Sequence, residues 1–161
     1  MDATCYIGLG ANLGDRRVNI QAAIQAIREL PGTVLLAVST FYHNPAVGGP
    51  PGQPDFLNAA AAICTSLTPR DLLARLLAIE ANLGRDRRGE PRHGPRPIDL
   101  DLLFYGDRVC QRGNPIIPHP RLHHRRFVLQ PLNEIAPDLR HPLLQRTVRE
   151  LLEGLPELDR Q

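Results

Sequence analysis

The segment that most constrains the fold is IDLDLLFY, residues 98–105, which is typical of a buried β-strand but contains Asp99 and Asp101. Side chains alternate along a strand, so both carboxylates leave one face, with α-carbons ~6.5–7 Å apart, and the aliphatic residues beside them face the opposite way. Two ionised carboxylates this close need a cationic partner in a half-buried site. The segment therefore predicts a sheet with one packed face and one face that carries paired acids.

The periodicity of the whole chain predicts the order β-α-β-β-α-β followed by a helical tail. Two long helices are expected behind the capping residues Asp15 and Thr68, where apolar residues recur at helical spacing. The expected strands lie at 4–10, 33–42, 56–67 and 98–105, with a weaker strand at 108–111 and short helices at 120–135 and 147–155. Split β-α-β units of this kind build an antiparallel sheet with helices on one face. We therefore expect an α+β, ferredoxin-like fold in a single domain, residues 1–161.

The composition narrows the possible functions. All 19 cations are arginine, which favours planar contacts with phosphate or carboxylate and removes the lysine that a GxxxxGK phosphate loop needs. A net charge of +2 gives no general attraction to nucleic acid or anionic membrane. No apolar run approaches the ~20 residues of a membrane span, and the amino terminus lacks the basic region of a secretory signal. With Cys5, Cys64 and Cys110 expected to be free thiols, we expect a cytoplasmic protein.

The pair Asp99 and Asp101 is a candidate metal site. Magnesium prefers carboxylate oxygen and keeps waters for substrate phosphates, and two ions ~3.5–4 Å apart can be bridged by such a pair. The alternative is that the aspartates pair with neighbouring arginines on a solvated face. The D-x-D spacing by itself does not separate these two interpretations.

A basic loop, residues 84–97, leads directly into this strand. It contains five arginines against Asp86 and Glu90, and its glycines and prolines keep it irregular. Arginines that face carboxylates are typical of phosphoryl transfer, where catalysis depends on positioning and neutralising phosphate charge. The alternatives are a solvated surface or a nucleic-acid contact, although aromatic residues for base stacking are sparse at 4%.

Two titratable residues and a second loop complete the candidate features. Glu80 lies near the end of the second predicted helix, where it either reaches solvent or pairs with an arginine. His119 follows an apolar run and is either structural or a hydrogen-bond donor to phosphate. The loop 44–54 holds four prolines and three glycines, and its length hints at function.

Several motifs, in order, resemble one enzyme family. RHGPRPIDLDLL (92–103) is similar to the signature of the hydroxymethyl-dihydropterin pyrophosphokinases of folate biosynthesis, and the family's other motifs resemble YIGLGANLGD, STFYHNPAVG, QPDFLNAA and PHPRLHHRRFVLQPLNEIAPDLRHP. The resemblance covers nearly the whole chain. It implies a ferredoxin-like α+β fold and magnesium-dependent transfer of the β,γ-pyrophosphoryl group of ATP to the hydroxymethyl oxygen of the dihydropterin, with release of AMP.

The resemblance also implies roles for individual residues. Asp99 and Asp101 match the aspartates that hold two magnesium ions, and Arg85 and Arg96 match the arginines that assist transfer. The positions that match ATP-binding residues are Glu80, Arg87, Arg92, His119 and Arg125. The positions that match the pterin pocket are Asn44, Val47, Phe56, Asn58 and Phe127. Two aromatic faces suit a flat heterocycle and an amide suits its donor and acceptor edge, although both phenylalanines are equally compatible with core packing.

The chain departs from the family's pattern at two positions. His93 stands where some members have a tryptophan that closes over the pterin, and Asn44 stands where threonine is frequent. Two other functions remain as alternatives: nucleotidyl transfer by the same metal pair, and nucleic-acid binding without catalysis. The expected partners are ATP and hydroxymethyl-dihydropterin, with no nucleic acid and no membrane, and the expected state is a monomer, with a dimer as the alternative.

Overall fold

The computed structural model describes residues 2–46, 49–86, 88 and 94–156. These residues form a five-stranded antiparallel sheet and four α-helices, which confirms the predicted α+β fold. In chain order the elements are β1 (Ala3–Ala11), α1 (Arg16–Arg28), β2 (Thr33–Val38), β3 (Tyr42–Asn44), β4 (Phe56–Thr65), α2 (Pro69–Asn82), β5 (Asp99–Tyr105), α3 (Arg126–Ile135) and α4 (Val148–Glu153). A short 3-10 helix, Leu122–His124, precedes α3.

The sheet has the strand order β2-β4-β1-β5, and β3 pairs with β4 beyond the end of β2. This is the order that two split β-α-β units produce, with the first strand in the centre. The predicted strand 33–42 is divided, because Ser39 leaves the β2 ladder: its amide donates to the Ala60 carbonyl (2.9 Å), and its hydroxyl accepts from the Ala60 amide (2.9 Å). The predicted strand at 108–111 is wrong: among the described residues only a single bridge joins Cys110 to Ile117.

The helices begin where the capping residues predict. The Asp15 carboxylate accepts from the Val18 amide (3.2 Å), and the Thr68 hydroxyl accepts from the Asp71 amide (3.2 Å). Thr147 and Glu150 form a reciprocal capping box that starts α4. Each cap satisfies amide groups that the first helical turn leaves without partners.

The first hydrophobic core lies between the sheet and the pair α1 and α2. Ile7 and Leu9 of β1 enter it together with Leu100 and Leu102 of β5, and all four are buried. The helices contribute their apolar stripes to it, Ile20, Ala23, Ile27, Leu72, Leu76 and Ile79. The alternate residues of β1 and β5 are therefore left to the opposite face of the sheet.

The opposite face is also covered by helices, which differs from the expectation of helices on one face alone. There α3 and α4 form a second core with Leu103 and Phe104. A register shift in β5 makes this possible: Tyr6 pairs with Phe104 and Ile7 with Leu102, so Leu103 is an extra residue. Leu103 and Phe104 therefore both face the second core, and Tyr105 returns to the first. The helical tail thus packs on the sheet as a second layer.

No helix among the described residues is long and apolar enough to cross a membrane.

Candidate active site

Asp99 and Asp101 extend from one face of β5, as the strand periodicity predicted, beside two glycines of the central strand. In the antiparallel register Asp99 pairs with Gly10 and Asp101 with Gly8. Leu100, between the aspartates, turns into the first core. Because glycine has no side chain, β1 leaves room there for side chains of the neighbouring strands, Leu103 beside Gly8 and Asn58 beside Gly10.

A buried network of hydrogen bonds centred on Arg85 lies next to Asp99. Its Nη1 donates to Glu80 Oε2 (3.0 Å), to Asp99 Oδ1 (2.9 Å) and to the Ile98 carbonyl (3.2 Å). Glu80 Oε2 also accepts from the Leu100 amide (2.8 Å), which ties the end of α2 to β5. Of the two interpretations of Glu80, solvent exposure is wrong and pairing with an arginine is confirmed, since Glu80 is only 1% exposed. The hydrogen bond from Arg85 fixes the orientation of the Asp99 carboxylate.

The electrostatic surroundings of Asp101 disfavour its charge. Burial and then the neighbouring charge of Asp99 raise the pKa of Asp101 to about 7, against the opposing effect of the Arg125 cation. Arg125 lies just before α3 and faces both aspartates. A cation bound beside this carboxyl group would stabilise its ionised form.

Arg96 is held over Asp99 by its backbone. Its amide donates to Asn12 Oδ1 (2.9 Å), and its carbonyl accepts from the Asn12 amide (3.1 Å). The Arg96 Nη1 lies 3.7 Å from Asp99 Oδ2. Asn12 Nδ2 also donates to Gln53 Oε1 (3.0 Å) and to the Pro54 carbonyl (3.3 Å). The buried side chain of Asn12 therefore connects both the loop 44–54 and the loop 84–97 to the end of β1.

His119 approaches the aspartates from the segment that follows β5. Its amide donates to the Leu103 carbonyl (2.9 Å), and its Nδ1 accepts from the Arg121 amide (3.2 Å). Burial and then the Arg125 cation lower the pKa of His119 to about 4. The imidazole is therefore neutral near pH 7, with its proton on Nε2, and this N–H is a donor for an anionic group.

The predicted pterin residues meet on β3 and β4, on the same face as the aspartates. Asn44 pairs with Phe56 across the ladder, and Asn44 Nδ2 donates to Asn58 Oδ1 (3.0 Å). Asn58 lies opposite Gly10, and a Cβ on Gly10 would stand 2.9 Å from Asn58 Nδ2. Glycine is thus required at position 10 for the Asn58 amide to lie over β1.

The two phenylalanines predicted to hold a flat ring each have an arginine over one face. The Arg96 guanidinium carbon lies 5.8 Å from the centre of the Phe56 ring, and that of Arg125 lies 5.6 Å from the centre of the Phe127 ring. Phe127 is partly buried at the edge of the second core. Both aromatic faces therefore adjoin the cations that frame the aspartates.

The structure brings together the predicted residues that it describes, and it adds others. Val47, Arg87, Arg92 and His93 lie outside the described residues. Sequence reasoning missed three contributors, Gly10, Asn12 and Arg121. The spacing of Gly8 and Gly10 within one strand was an available signal, because an i, i+2 pair lies on one face; Asn12 and Arg121 depend on tertiary contacts with no local pattern.

The donor set suits a hard cation and phosphate. The described residues contain no cluster of three or more His, Cys, Asp or Glu side chains that could enclose a metal ion. Two partly exposed carboxylates leave the other coordination positions to water and substrate oxygens, which is how magnesium is bound with nucleotides. With arginines and a neutral histidine around them, the fold and the site define an enzyme of the phosphoryl-transfer class.

Residues 6–137 match the family model of 7,8-dihydro-6-hydroxymethylpterin-pyrophosphokinase, and the chain belongs to that family. The chain is therefore a pyrophosphokinase of folate biosynthesis, which transfers the pyrophosphoryl group of ATP to hydroxymethyldihydropterin. The family predicted from the sequence motifs is confirmed.

Similar proteins agree with this assignment. The chain is 45% identical over 151 residues to the 2-amino-4-hydroxy-6-hydroxymethyldihydropteridine pyrophosphokinase of Pseudomonas aeruginosa, covering 94% of this chain and 91% of that protein. It is 43% identical over 147 residues to the enzyme of the same name from Synechocystis, covering 91% of this chain and 73% of that protein. A solved HPPK-DHPS structure from Plasmodium falciparum shares the fold with a TM-score of 0.72 at 14% identity, over 95% of this chain and 45% of that chain.

Proposed function

We propose that this chain performs the pyrophosphoryl transfer with two magnesium ions held by Asp99 and Asp101. The hydroxymethyl oxygen of the dihydropterin attacks the β-phosphorus of ATP and releases its proton to solvent, the bond from that phosphorus to the α,β-bridging oxygen breaks, and AMP leaves with the electron pair. When bound, the ions would neutralise the phosphate charge and orient the β-phosphoryl group.

The observation that supports this most directly is the register of the sheet. Asn58, Gly10 and Asp99 stand in one row across β4, β1 and β5. Adjacent strands are ≈ 4.8 Å apart, so the α-carbons of Asn58 and Asp99 are about 10 Å apart across one face. This spacing suits a bicyclic pterin whose far edge is bound at Asn58 and whose hydroxymethyl group points toward the aspartates.

The basic residues would bind the phosphates in distinct ways. Arg85 is committed to Glu80 and Asp99, so it acts by orienting the carboxylate and by adding positive charge beneath it. Arg96, Arg125 and the Nε2–H of His119 are placed to contact phosphate oxygens. Arg87 and Arg92 complete the set by the resemblance, and Glu80 contributes through Arg85 rather than by direct contact with ATP.

The pterin would bind against Asn44, Val47, Phe56, Asn58 and Phe127. The Asn44–Asn58 hydrogen bond orients the Asn58 amide so that its Nδ2 remains available to an acceptor. Phe56 and Phe127 would bind the two faces of the ring, and the arginines now over them would move toward the phosphates.

One chain supplies every residue of this site, and we propose a single domain, residues 1–161, that is active as a monomer. The cysteines of the described chain are free, which suits a reducing compartment, and we place the enzyme in the cytoplasm. Its partners are the two substrates, without nucleic acid or membrane.

The test is a product analysis. The protein is incubated with ATP, MgCl₂ and 6-hydroxymethyl-7,8-dihydropterin, and the products are separated by anion exchange and identified by mass spectrometry. We expect AMP and the pterin diphosphate in equal amounts, and no reaction in EDTA. ADP, or free pyrophosphate with an adenylated pterin, would contradict the proposal and indicate phosphoryl or nucleotidyl transfer instead.

Variants assign the metal site in the same assay. Asp99→Asn and Asp101→Asn should each abolish product formation while the protein stays folded. Asp71→Asn, an exposed acid in the first turn of α2, is the matched control and should keep full activity. Near-normal activity of either site variant would show that the two aspartates do not hold the metal.

A further inference from the structure

Glu134, on the last turn of α3, accepts hydrogen bonds from three donors of one short segment. These are the Thr40 amide (2.9 Å), the Thr40 hydroxyl (2.7 Å) and the Tyr42 hydroxyl (2.6 Å). Both carboxylate oxygens are engaged. The contact joins residues that are more than ninety positions apart in sequence, so it is a tertiary connection between α3 and the start of β3.

The two ends of this connection carry opposite walls of the candidate pterin pocket. On the strand side, Tyr42 is two residues from Asn44 and pairs directly with Asn58. On the helix side, Glu134 is seven residues from Phe127, and residues at i and i+7 lie on the same face of a helix. The Glu134 carboxylate therefore links β3, which carries Asn44 and pairs with Asn58, to α3, which carries Phe127.

Glu134 is suited to this task because it stays ionised. Burial alone would raise the pKa of Glu134, but the donors on Tyr42 and Thr40 lower it overall. The hydrogen bond with Glu134 raises the pKa of Tyr42, so the phenol keeps its proton as the donor. Hydrogen bonds to an ionised acceptor are shorter and stronger than neutral ones, and three of them hold a fixed geometry.

We infer that Glu134 is a positioning residue for the pterin: it sets the distance between Phe127 on α3 and the Asn44–Asn58 pair on β3 and β4. The inference rests on the proposed function, because it assigns the same pocket to the pterin. It predicts a larger effect on the pterin than on ATP. The ATP residues Arg85, Arg96 and Asp99 are held by their own contacts with Glu80 and Asn12, which do not involve Glu134.

The experiment compares kinetics for both substrates across a graded set of variants. Tyr42→Phe removes one donor, Glu134→Gln keeps the shape but removes the charge, and Glu134→Ala removes every contact. We expect the pterin KM to rise in that order, by roughly tenfold for Glu134→Ala, with the ATP KM changed less than about twofold. Glu29→Gln is the matched control, because Glu29 also accepts a hydrogen bond (from Gln25, 3.0 Å) but lies at the end of α1.

A direct binding measurement separates a positioning role from general loss of structure. Pterin fluorescence titrations give the Kd without turnover, and thermal melts report folding. Weaker pterin binding in Tyr42→Phe and Glu134→Gln at an unchanged melting temperature supports the inference. Equal rises in both KM values, or an unchanged pterin Kd with a lowered melting temperature, overturn it. If the wild-type protein neither binds nor converts the pterin, the proposed function has failed, and the wild-type data alone show this.

Discussion

Glu80 and Arg85 form an ion pair with 3.0 Å between Oε2 and Nη1, and their side chains are only 2% and 3% exposed. The same guanidinium also reaches Asp99 at 2.9 Å. Removing one partner of a buried ion pair leaves an uncompensated buried charge, whereas exposed ion pairs contribute little to the free energy of unfolding. The pair therefore makes an arginine near the catalytic centre a determinant of stability as well.

Arg85→Ala should lower the free energy of unfolding by about 3–5 kcal/mol, because Glu80 and Asp99 lose their shared buried partner. The control is Arg88→Ala, since Arg88 pairs with Asp86 at 3.1 Å with its side chain 92% exposed. Its effect should stay below about 0.5 kcal/mol. Urea denaturation of both variants is the measurement, and similar midpoints for the two would show that the buried pair is not a stability determinant.

Asp101→Asn should stabilise the metal-free protein at alkaline pH. Burial raises the pKa of Asp101 from 3.8 to about 7, so between these values the folded protein keeps a proton that the unfolded chain has lost. The free energy of unfolding therefore falls as pH rises through this window and stays low above pH 7. In EDTA at pH 8 we expect the variant to be more stable by at least about 1.4 kcal/mol, one pKa unit. Magnesium should stabilise the wild-type protein and leave the variant unchanged; a variant less stable than wild type in EDTA would contradict this account.

His119 should remain neutral through the physiological range. Its pKa is lowered from 6.5 to about 4, first by burial and then by Arg125. The folded value is below the unfolded value, so the stability it contributes is complete above pH 6.5 and is lost as pH falls toward 4. Nitrogen-15 NMR should show a proton on Nε2 at pH 6, and His119→Gln should flatten the pH dependence of stability in this window. A His119 that titrates near pH 6.5 would refute the assigned tautomer.

Gly10→Ala should impair pterin binding, because the added Cβ would stand 2.9 Å from Asn58 Nδ2 and displace the amide. Gly8→Ala is the paired comparison, since its Cβ would meet Leu103 at 3.5 Å, an ordinary contact. Both proteins should fold. We expect the pterin Kd to rise by roughly tenfold or more for Gly10→Ala, the cost of a misplaced hydrogen bond to a buried amide. Equal pterin Kd values for the two variants would show that the Asn58 amide does not depend on Gly10.

Local patterns predicted the parts of the site that lie along single elements. The alternation in β5 placed Asp99 and Asp101 on one face because a strand has a period of two residues. The caps at Asp15 and Thr68 located the helices for a similar reason. The motif resemblance then added Phe56 and Phe127, whose residue type alone is also compatible with core packing.

Features that arise between elements were not predictable in the same way. Ser39 separates β2 from β3 because it exchanges two hydrogen bonds with the backbone of Ala60, which belongs to β4. The burial of Glu80 depends on the Leu100 amide, twenty residues away. The second core likewise includes Phe104, which strict alternation would place in the first core and which the register shift against β1 turns to the other face. Each of these is decided by a partner that is distant in sequence.

The two sides of β1 carry different constraints. Ile7 and Leu9 are fixed by close packing in the first core, whereas Gly10, on the other side, is fixed by the Asn58 amide that lies over it. A substitution on one side changes the protein's tolerance to heat, and a substitution on the other changes which molecule it accepts. Over evolutionary time, a lineage could therefore alter ligand preference at alternate positions of a single strand while thermal tolerance drifts independently.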